Sequence, residues 1–278
     1  MSSLSKSLKI VHNRSQMRKL EGRVMIVTGA SSGIGEALAV EAARAGMKVA
    51  LAARRTDELE RVADRVREAG GHALILPTDV ADPAACQQLI DDTVMHWGSL
   101  DVLFANAGFG LFHHAEDSKN EEVENQMWRV NYHGAIHCIR AALKRMTASG
   151  HILVCSSIAG HTGLPWKATY AATKAALHGF ATTLRMELEP HGIHVTTVYP
   201  VGTETAFSQT ASRLSDEQSP RSKTPSWLVQ TPEHVARRMV AAIKRPQAEV
   251  WPSRVSHLMA ALWTLFPGLR SFSFRKHV

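Results

Sequence analysis

Residues 24–35 read Val24-Met25-Ile26-Val27-Thr28-Gly29-Ala30-Ser31-Ser32-Gly33-Ile34-Gly35. The apolar run Val24 to Val27 has the length and β-branching of a buried strand, and it passes directly into a turn holding three glycines. Beyond the turn, Leu38 and Ala42 recur on one face of a helical segment. Glycine permits a tight turn and lets backbone N–H groups approach an anion, while a helix N-terminus adds a partial positive charge of about +0.5. Set between strand and helix near the chain start, Gly29, Ser31, Ser32, Gly33, Ile34 and Gly35 form a candidate cradle for a dinucleotide pyrophosphate.

Outward from this turn, short β-branched runs alternate with longer segments of helical period, the signature of repeated βαβ units around a parallel sheet. Strands are predicted over 24–27, 49–53, 73–76, 102–105, 152–155, 194–199 and 249–251, about seven in all. Helices fit between them at 36–45, 84–97, 121–146 and 169–189, the last with Leu177, Phe180, Leu184 and Leu188 on one stripe. The expected architecture is a single-domain α/β fold, a doubly wound parallel sheet of the Rossmann-like type flanked by helices. Residues 1–22 are expected to be a basic N-terminal extension, 23–251 the catalytic domain and 252–278 an apolar and basic tail. Residues 206–230, rich in Ser, Thr, Gln and Pro, break the rhythm and read as a lid or a solvated connection before a helix starting at Thr231-Pro232.

Composition narrows the function classes. With 45% hydrophobic and 21% charged residues the chain has ample material for a core. The formal charge of +7 is concentrated at the ends, through Lys6, Lys9, Arg14, Arg18 and Lys19 at one and Arg254, Arg270, Arg275 and Lys276 at the other. The body is left near neutrality, which speaks against a nucleic-acid groove. Cys86, Cys138 and Cys155 are too few and too scattered for a disulfide framework or a zinc site, as expected in a reducing, cytoplasmic setting. No stretch approaches the roughly 20 apolar residues of a membrane span, and the N-terminus lacks a secretory pattern.

Two further groups of residues carry chemistry. Strand two ends Ala53-Arg54-Arg55, where an NAD-preferring site would place an acid for the ribose hydroxyls; arginines there suit a 2′-phosphate, with Arg54 favoured over Arg55. NADP(H) is therefore expected over NAD(H). Tyr170-Ala171-Ala172-Thr173-Lys174 places a phenol and an ammonium at i and i+4 on one helical face, with Ser157 thirteen residues upstream at a strand end. An ammonium beside a phenol is expected to lower its pKa from the ordinary value of about 10, making Tyr170 a workable acid/base.

Taken together, the glycine-rich turn, Ser157 and the YxxxK pair resemble the short-chain dehydrogenase/reductase family over about residues 23–251. The resemblance implies a catalytic tetrad of Asn131, Ser157, Tyr170 and Lys174, in which Asn131 holds a proton-relay water. Ser157 would donate a hydrogen bond to a substrate carbonyl while Tyr170 delivers the proton as hydride arrives from the nicotinamide, and Lys174 would bond the nicotinamide ribose. The resemblance also implies that Asp79-Val80 lies against the adenine and that Asn106-Ala107-Gly108 steadies the central sheet near the cofactor. Pro200, Thr203 and Thr205 would meet the nicotinamide carboxamide. Val201, where the family usually has glycine, and Ala105, where asparagine is frequent, depart from its pattern.

The expected substrate is a small or lipid-like ketone or aldehyde and its alcohol; the alternative is a non-catalytic NADP(H)-binding scaffold or sensor of the same fold. A dehydratase or epimerase is a lesser rival. His161, Leu164, Trp166, Phe207 and Trp227 hint at an apolar lining, and helices 121–146 and 169–189 are the expected faces of a homodimer or homotetramer. No metal is expected at His133 and His137 or at His113 and His114, because no carboxylate or cysteine completes a ligand set at suitable spacing. Ser156 and Cys155 read as packing or capping residues. In the tail, Val255, Leu258, Met259, Leu262, Leu265, Phe266 and Leu269 recur at helical spacing beside Trp263, and Pro267-Gly268 is expected to end the helix. Such a stripe is expected to dock on the body or a sister subunit, with membrane contact or a share in a substrate pocket less favoured.

Overall fold

All five residues of β1, Val24–Thr28, are buried, as a strand covered on both faces requires. In a computed structural model, which describes residues 17–116, 121–203, 211, 225 and 228–274, β1 lies inside a seven-stranded sheet of order β3-β2-β1-β4-β5-β6-β7. The other strands are β2 (Lys48–Ala53), β3 (His72–Pro77), β4 (Val102–Ala105), β5 (His151–Cys155), β6 (His194–Val198) and β7 (Glu249–Val250). Every neighbouring pair is parallel.

Parallel neighbours need crossovers, and helices supply them. These are α1 (Gly33–Arg44), α2 (Thr56–Glu68), α3 (Pro83–Trp97), α4 (Glu121–Met127), α5 (Ala135–Leu143), α6 (Ile158–Thr162), α7 (Ala168–Leu188) and α8 (Pro232–Lys244), followed by α9 (Arg254–Leu265) and α10 (Pro267–Phe274). Side chains alternate across β1: Met25 and Val27 join α1, α2 and α8 in one core layer, and Ile26 joins α3, α5 and α7 in the other. Local chemistry starts several helices. Asp82 accepts from Ala84 N–H at 2.8 Å ahead of Pro83, and Thr231 accepts from His234 N–H at 3.2 Å ahead of Pro232.

Three expectations need correction. The predicted helix over 121–146 is not continuous: a π-helical segment, Trp128–Gly134, separates α4 from α5, and α5 ends at Leu143. Pro267 does end α9, but its fixed φ also starts α10, in which Gly268 is helical. The leucines of α9 do not dock on the body. The face that does is carried by Ser256 and Ala260, both fully buried, while Leu258 and Leu265 point outward. The predicted extra residues Tyr199 and Trp251 lie just past the strand ends.

The order 3-2-1-4 reverses direction between β1 and β4, so the loops leaving their C-terminal ends diverge and open a crevice. The glycine-rich turn, Arg54, Asp79, Asn106, Ser157 and Pro200 all follow strand ends along this one edge.

Candidate active site

The turn after β1 is built for a close ligand. Gly29 and Gly33 have φ of +66° and +61°, backbone that other residues adopt only with strain. A Cβ on Gly35 would lie 2.3 Å from the Gly29 carbonyl oxygen, so the chain could not fold so tightly with alanine there. Ser32 caps α1 in extended conformation without a side-chain hydrogen bond, so its hydroxyl does not satisfy the first N–H groups of α1. These features fit a pyrophosphate. Asn106 locks the floor of the turn: its Nδ2 donates to the Thr28 carbonyl and its backbone N–H to Thr28 Oγ1, both at 2.9 Å. Ala107 N–H reaches the same hydroxyl at 3.2 Å.

Arg54 and Arg55 are exposed at the end of β2, and Arg55 Nη2 donates to Ser31 Oγ at 3.3 Å. Sequence reasoning missed the network behind them. Arg61 and Arg65 on α2 both bond the carboxylate of Glu36 on α1, and Arg61 Nη2 also donates to the Ser31 carbonyl at 3.3 Å. Burial pushes the Glu36 carboxyl up, but the two arginines outweigh it and hold the group below its ordinary value. Asp79 accepts from Ala81 N–H at 3.0 Å, while Val80 is buried, its carbonyl accepting from the Cys86 thiol.

Deeper in the crevice, β5, the π segment and α7 bring the tetrad together. Ser157, at the end of β5, accepts from Ala159 N–H at 3.2 Å and shares a hydrogen bond with Tyr170. Lys174 is buried and its Nζ donates to the Cys155 carbonyl at 2.8 Å, with the Tyr170 ring centroid 5.9 Å away. Asn131 is fully buried in the π segment, where a wider turn redirects one side chain inward. Its Oδ1 accepts from Phe109 N–H and its Nδ2 donates to the Phe109 carbonyl, each at 2.9 Å. A Cβ on Gly108 would meet Asn131 Oδ1 at 2.9 Å and Lys174 Nζ at 3.5 Å, so both side chains converge on that backbone. Thr173, which the sequence did not single out, accepts from Asn131 Nδ2 at 3.3 Å and donates to the Tyr170 carbonyl at 2.8 Å. Ser156 serves the scaffold, its Oγ donating to the Lys174 carbonyl at 2.8 Å.

The electrostatics differ from the sequence expectation. Enclosure pushes the Tyr170 phenol above its ordinary value, the Cys155 side chain adds to this, and the Ser157 bond draws it back only in part. Lys174, itself lowered by burial, is committed to a carbonyl instead of the phenol. The arrangement as it stands therefore stores a proton on Tyr170.

The remaining candidates divide. Pro200 accepts from Ile158 N–H at 3.3 Å, and Thr203 pairs with Gln230 in an isolated bridge. Thr205, Phe207 and Trp227 lie outside the described residues. Trp166, with a φ of +65°, packs on His114 at 3.5 Å between centroids, and Lys167 Nζ lies 4.7 Å from the Phe112 centroid. The loops after β4 and α6 thus meet as a rim. His161 instead joins a cluster with Tyr199, Trp251 and His178.

A model of the short chain dehydrogenase family matches residues 23–215. The uncharacterized oxidoreductase YxnA of Bacillus subtilis is 30% identical over 264 residues, which cover 93% of this chain and 73% of that one. A protein of Arabidopsis thaliana named 11-beta-hydroxysteroid dehydrogenase-like 2 is 39% identical over 199 residues, 71% of this chain and 63% of its own length. Among solved structures, a short-chain dehydrogenase/reductase from Burkholderia phymatum in complex with NAD superposes with a TM-score of 0.80 at 26% identity, covering 91% of this chain and 97% of that one. An alcohol dehydrogenase from Thermococcus sibiricus complexed with 5-hydroxy-NADP gives 0.72 at 29% identity, over 83% and 95% of the two chains. Sheet order, crevice and family match agree, and the chain belongs to the short-chain dehydrogenases, as an oxidoreductase with a nucleotide-binding Rossmann-like fold.

Proposed function

We propose that this protein is an NADP(H)-dependent carbonyl reductase, interconverting a ketone or aldehyde with its alcohol, in which Tyr170 is the acid/base. The observation that carries the reading is the Tyr170 hydroxyl held by Ser157, beside a buried Lys174 fixed to the Cys155 carbonyl. Bound nicotinamide coenzyme supplies the hydride. Ser157 donates a hydrogen bond to the carbonyl oxygen and Tyr170 transfers its proton there, so that hydride and proton together make the alcohol. Lys174 and Asn131 hold the floor of the site, and Gly108 leaves room between them. In the reverse direction Tyr170 accepts the alcohol proton.

Preference for the 2′-phosphorylated coenzyme rests on Ala53, where an acid would repel that phosphate, and on Arg54 and Arg55 beside the turn. Gly29, Ser31, Ser32, Gly33, Ile34 and Gly35 would hold the pyrophosphate, Asp79 and Val80 the adenine, and Pro200, Thr203 and Thr205 the carboxamide. A rim of Phe112, Leu164 and Trp166 favours an apolar carbonyl compound, in keeping with the hydroxysteroid dehydrogenase in the name of one relative. The test is the absorbance decay of NADPH over a panel of apolar ketones. Tyr170→Phe should lose roughly a hundredfold to ten-thousandfold in kcat while still binding NADPH. Turnover that survived the substitution would overturn the mechanism; binding without turnover by the wild type would favour a nucleotide-bound scaffold.

A further inference from the structure

The C-terminal helices are amphipathic in the reverse sense. In α9 the inward face carries the small residues Ser256 and Ala260, and the outward face carries Val255, Leu258, Leu262 and Leu265 at spacings of three and four. Phe266, Leu269 and Phe272 extend the face along α10. Ten large hydrophobic residues are exposed among the described residues, and seven of them fall between positions 255 and 272. Leu258, Leu265 and Phe272 are 62%, 70% and 72% exposed. Scattered exposure of this kind would be ordinary, but a contiguous patch marks a contact surface.

Charge selects the occupant. Residues 251–274 contain Arg254 and Arg270 and no acidic residue. A second copy seated by a two-fold axis would set this cationic patch against itself, with no carboxylate there to neutralise it. Residues 1–16, with Lys6, Lys9 and Arg14 and no acid, would be repelled in the same way. An anionic lipid surface answers both demands, taking the leucine and phenylalanine side chains below its headgroups and the arginines among them. No described helix is long and apolar enough to cross a membrane, so the contact would lie in the surface plane.

We propose that α9 and α10 form a docking face for anionic lipid bilayers. The pair is not a loose appendage: α9 packs on α6, His257 stacks on Trp251 with centroids 4.7 Å apart, and the Arg270 guanidinium donates to the Thr162 carbonyl at the end of α6. Because α6 starts directly after Ser157, the docking face is joined through one short helix to the end of β5 that carries that residue.

The test is co-sedimentation of the full chain with sucrose-loaded vesicles of phosphatidylcholine alone or mixed with phosphatidylglycerol, which needs no turnover. The wild type should pellet with the mixed vesicles, less so as salt rises, and at least roughly tenfold more weakly with phosphatidylcholine alone. The triple variant Leu258→Asp, Leu265→Asp, Phe272→Asp should stay in the supernatant with unchanged circular dichroism and melting. A control pair, Met95→Asp with Met186→Asp, changes exposed residues elsewhere and should leave binding intact. Failure of the wild type to pellet with mixed vesicles overturns the proposal. So does an oligomer, seen by analytical ultracentrifugation, that the triple variant dissolves, since a second copy then covers the face. If the triple variant misfolds, Leu258→Asp alone must still lower vesicle binding.

Discussion

Tyr170 holds its proton because the surrounding protein offers it little help in becoming an anion: enclosure dominates and Lys174 is turned to a main-chain oxygen. A raised phenol pKa means the neutral form persists through physiological pH, and the neutral form is the one that donates to a carbonyl. Reduction should therefore run at a level kcat between about pH 6 and 9, while alcohol oxidation, which needs the phenolate, should climb about tenfold per pH unit. Initial rates in both directions at saturating coenzyme decide it. A reductive rate that fell away through about pH 7 would show that the phenol is acidic after all. Arg54→Ala should raise the KM for NADPH roughly tenfold and leave that for NADH little changed; equal effects would show that Arg54 does not read the phosphate. The proposed reacting residues could be picked out because the spacing of Ser157, Tyr170 and Lys174 is written in side chains. What holds them could not, since the Cys155 carbonyl and the Phe109 main chain carry no residue signature.

Elements explain why some boundaries escaped the sequence. Apolar periodicity over 121–146 suits an α-helix, and nothing in Trp128-Arg129-Val130-Asn131-Tyr132-His133-Gly134 announces a π turn; the cause is tertiary, the clamp of Asn131 on Phe109. The joint between α1 and α2 was equally hidden, because Glu36, Arg61 and Arg65 are 25 and 29 residues apart in sequence. Glu36 is buried whereas both arginines are about half exposed, so the pairing is worth less than an enclosed one. Glu36→Gln should cost about 1–2 kcal/mol, read from urea unfolding, by leaving two guanidinium groups without their carboxylate. A loss below about 0.5 kcal/mol would mean that solvent already carries both arginines. The tail shows the opposite failure: its stripe was plain in the sequence, but which side faced the body depended on Ser256 and Ala260 fitting closely against the fold.

Across the fold, the parallel sheet was readable from the alternation of short buried runs with helical stretches, whereas the strand order β3-β2-β1-β4-β5-β6-β7 emerges only in three dimensions, because each crossover can return to either side of its starting strand. The glycine-rich turn, Arg54, Asp79, Asn106, Ser157 and Pro200 stand where a strand gives way to the chain beyond it, and Asn131, Tyr170 and Lys174 lie in the helical segments that follow; the return paths, from helix back to strand, run along the opposite rim. There the chain turns at Gly46, Gly70, Gly98 and Gly192, all with positive φ. Those hairpin-like returns answer only to folding, so insertions, tags or new chain ends placed at Gly98-Ser99 leave the reacting groups undisturbed, whereas a like change beyond Ser157 rewrites what the molecule can accept.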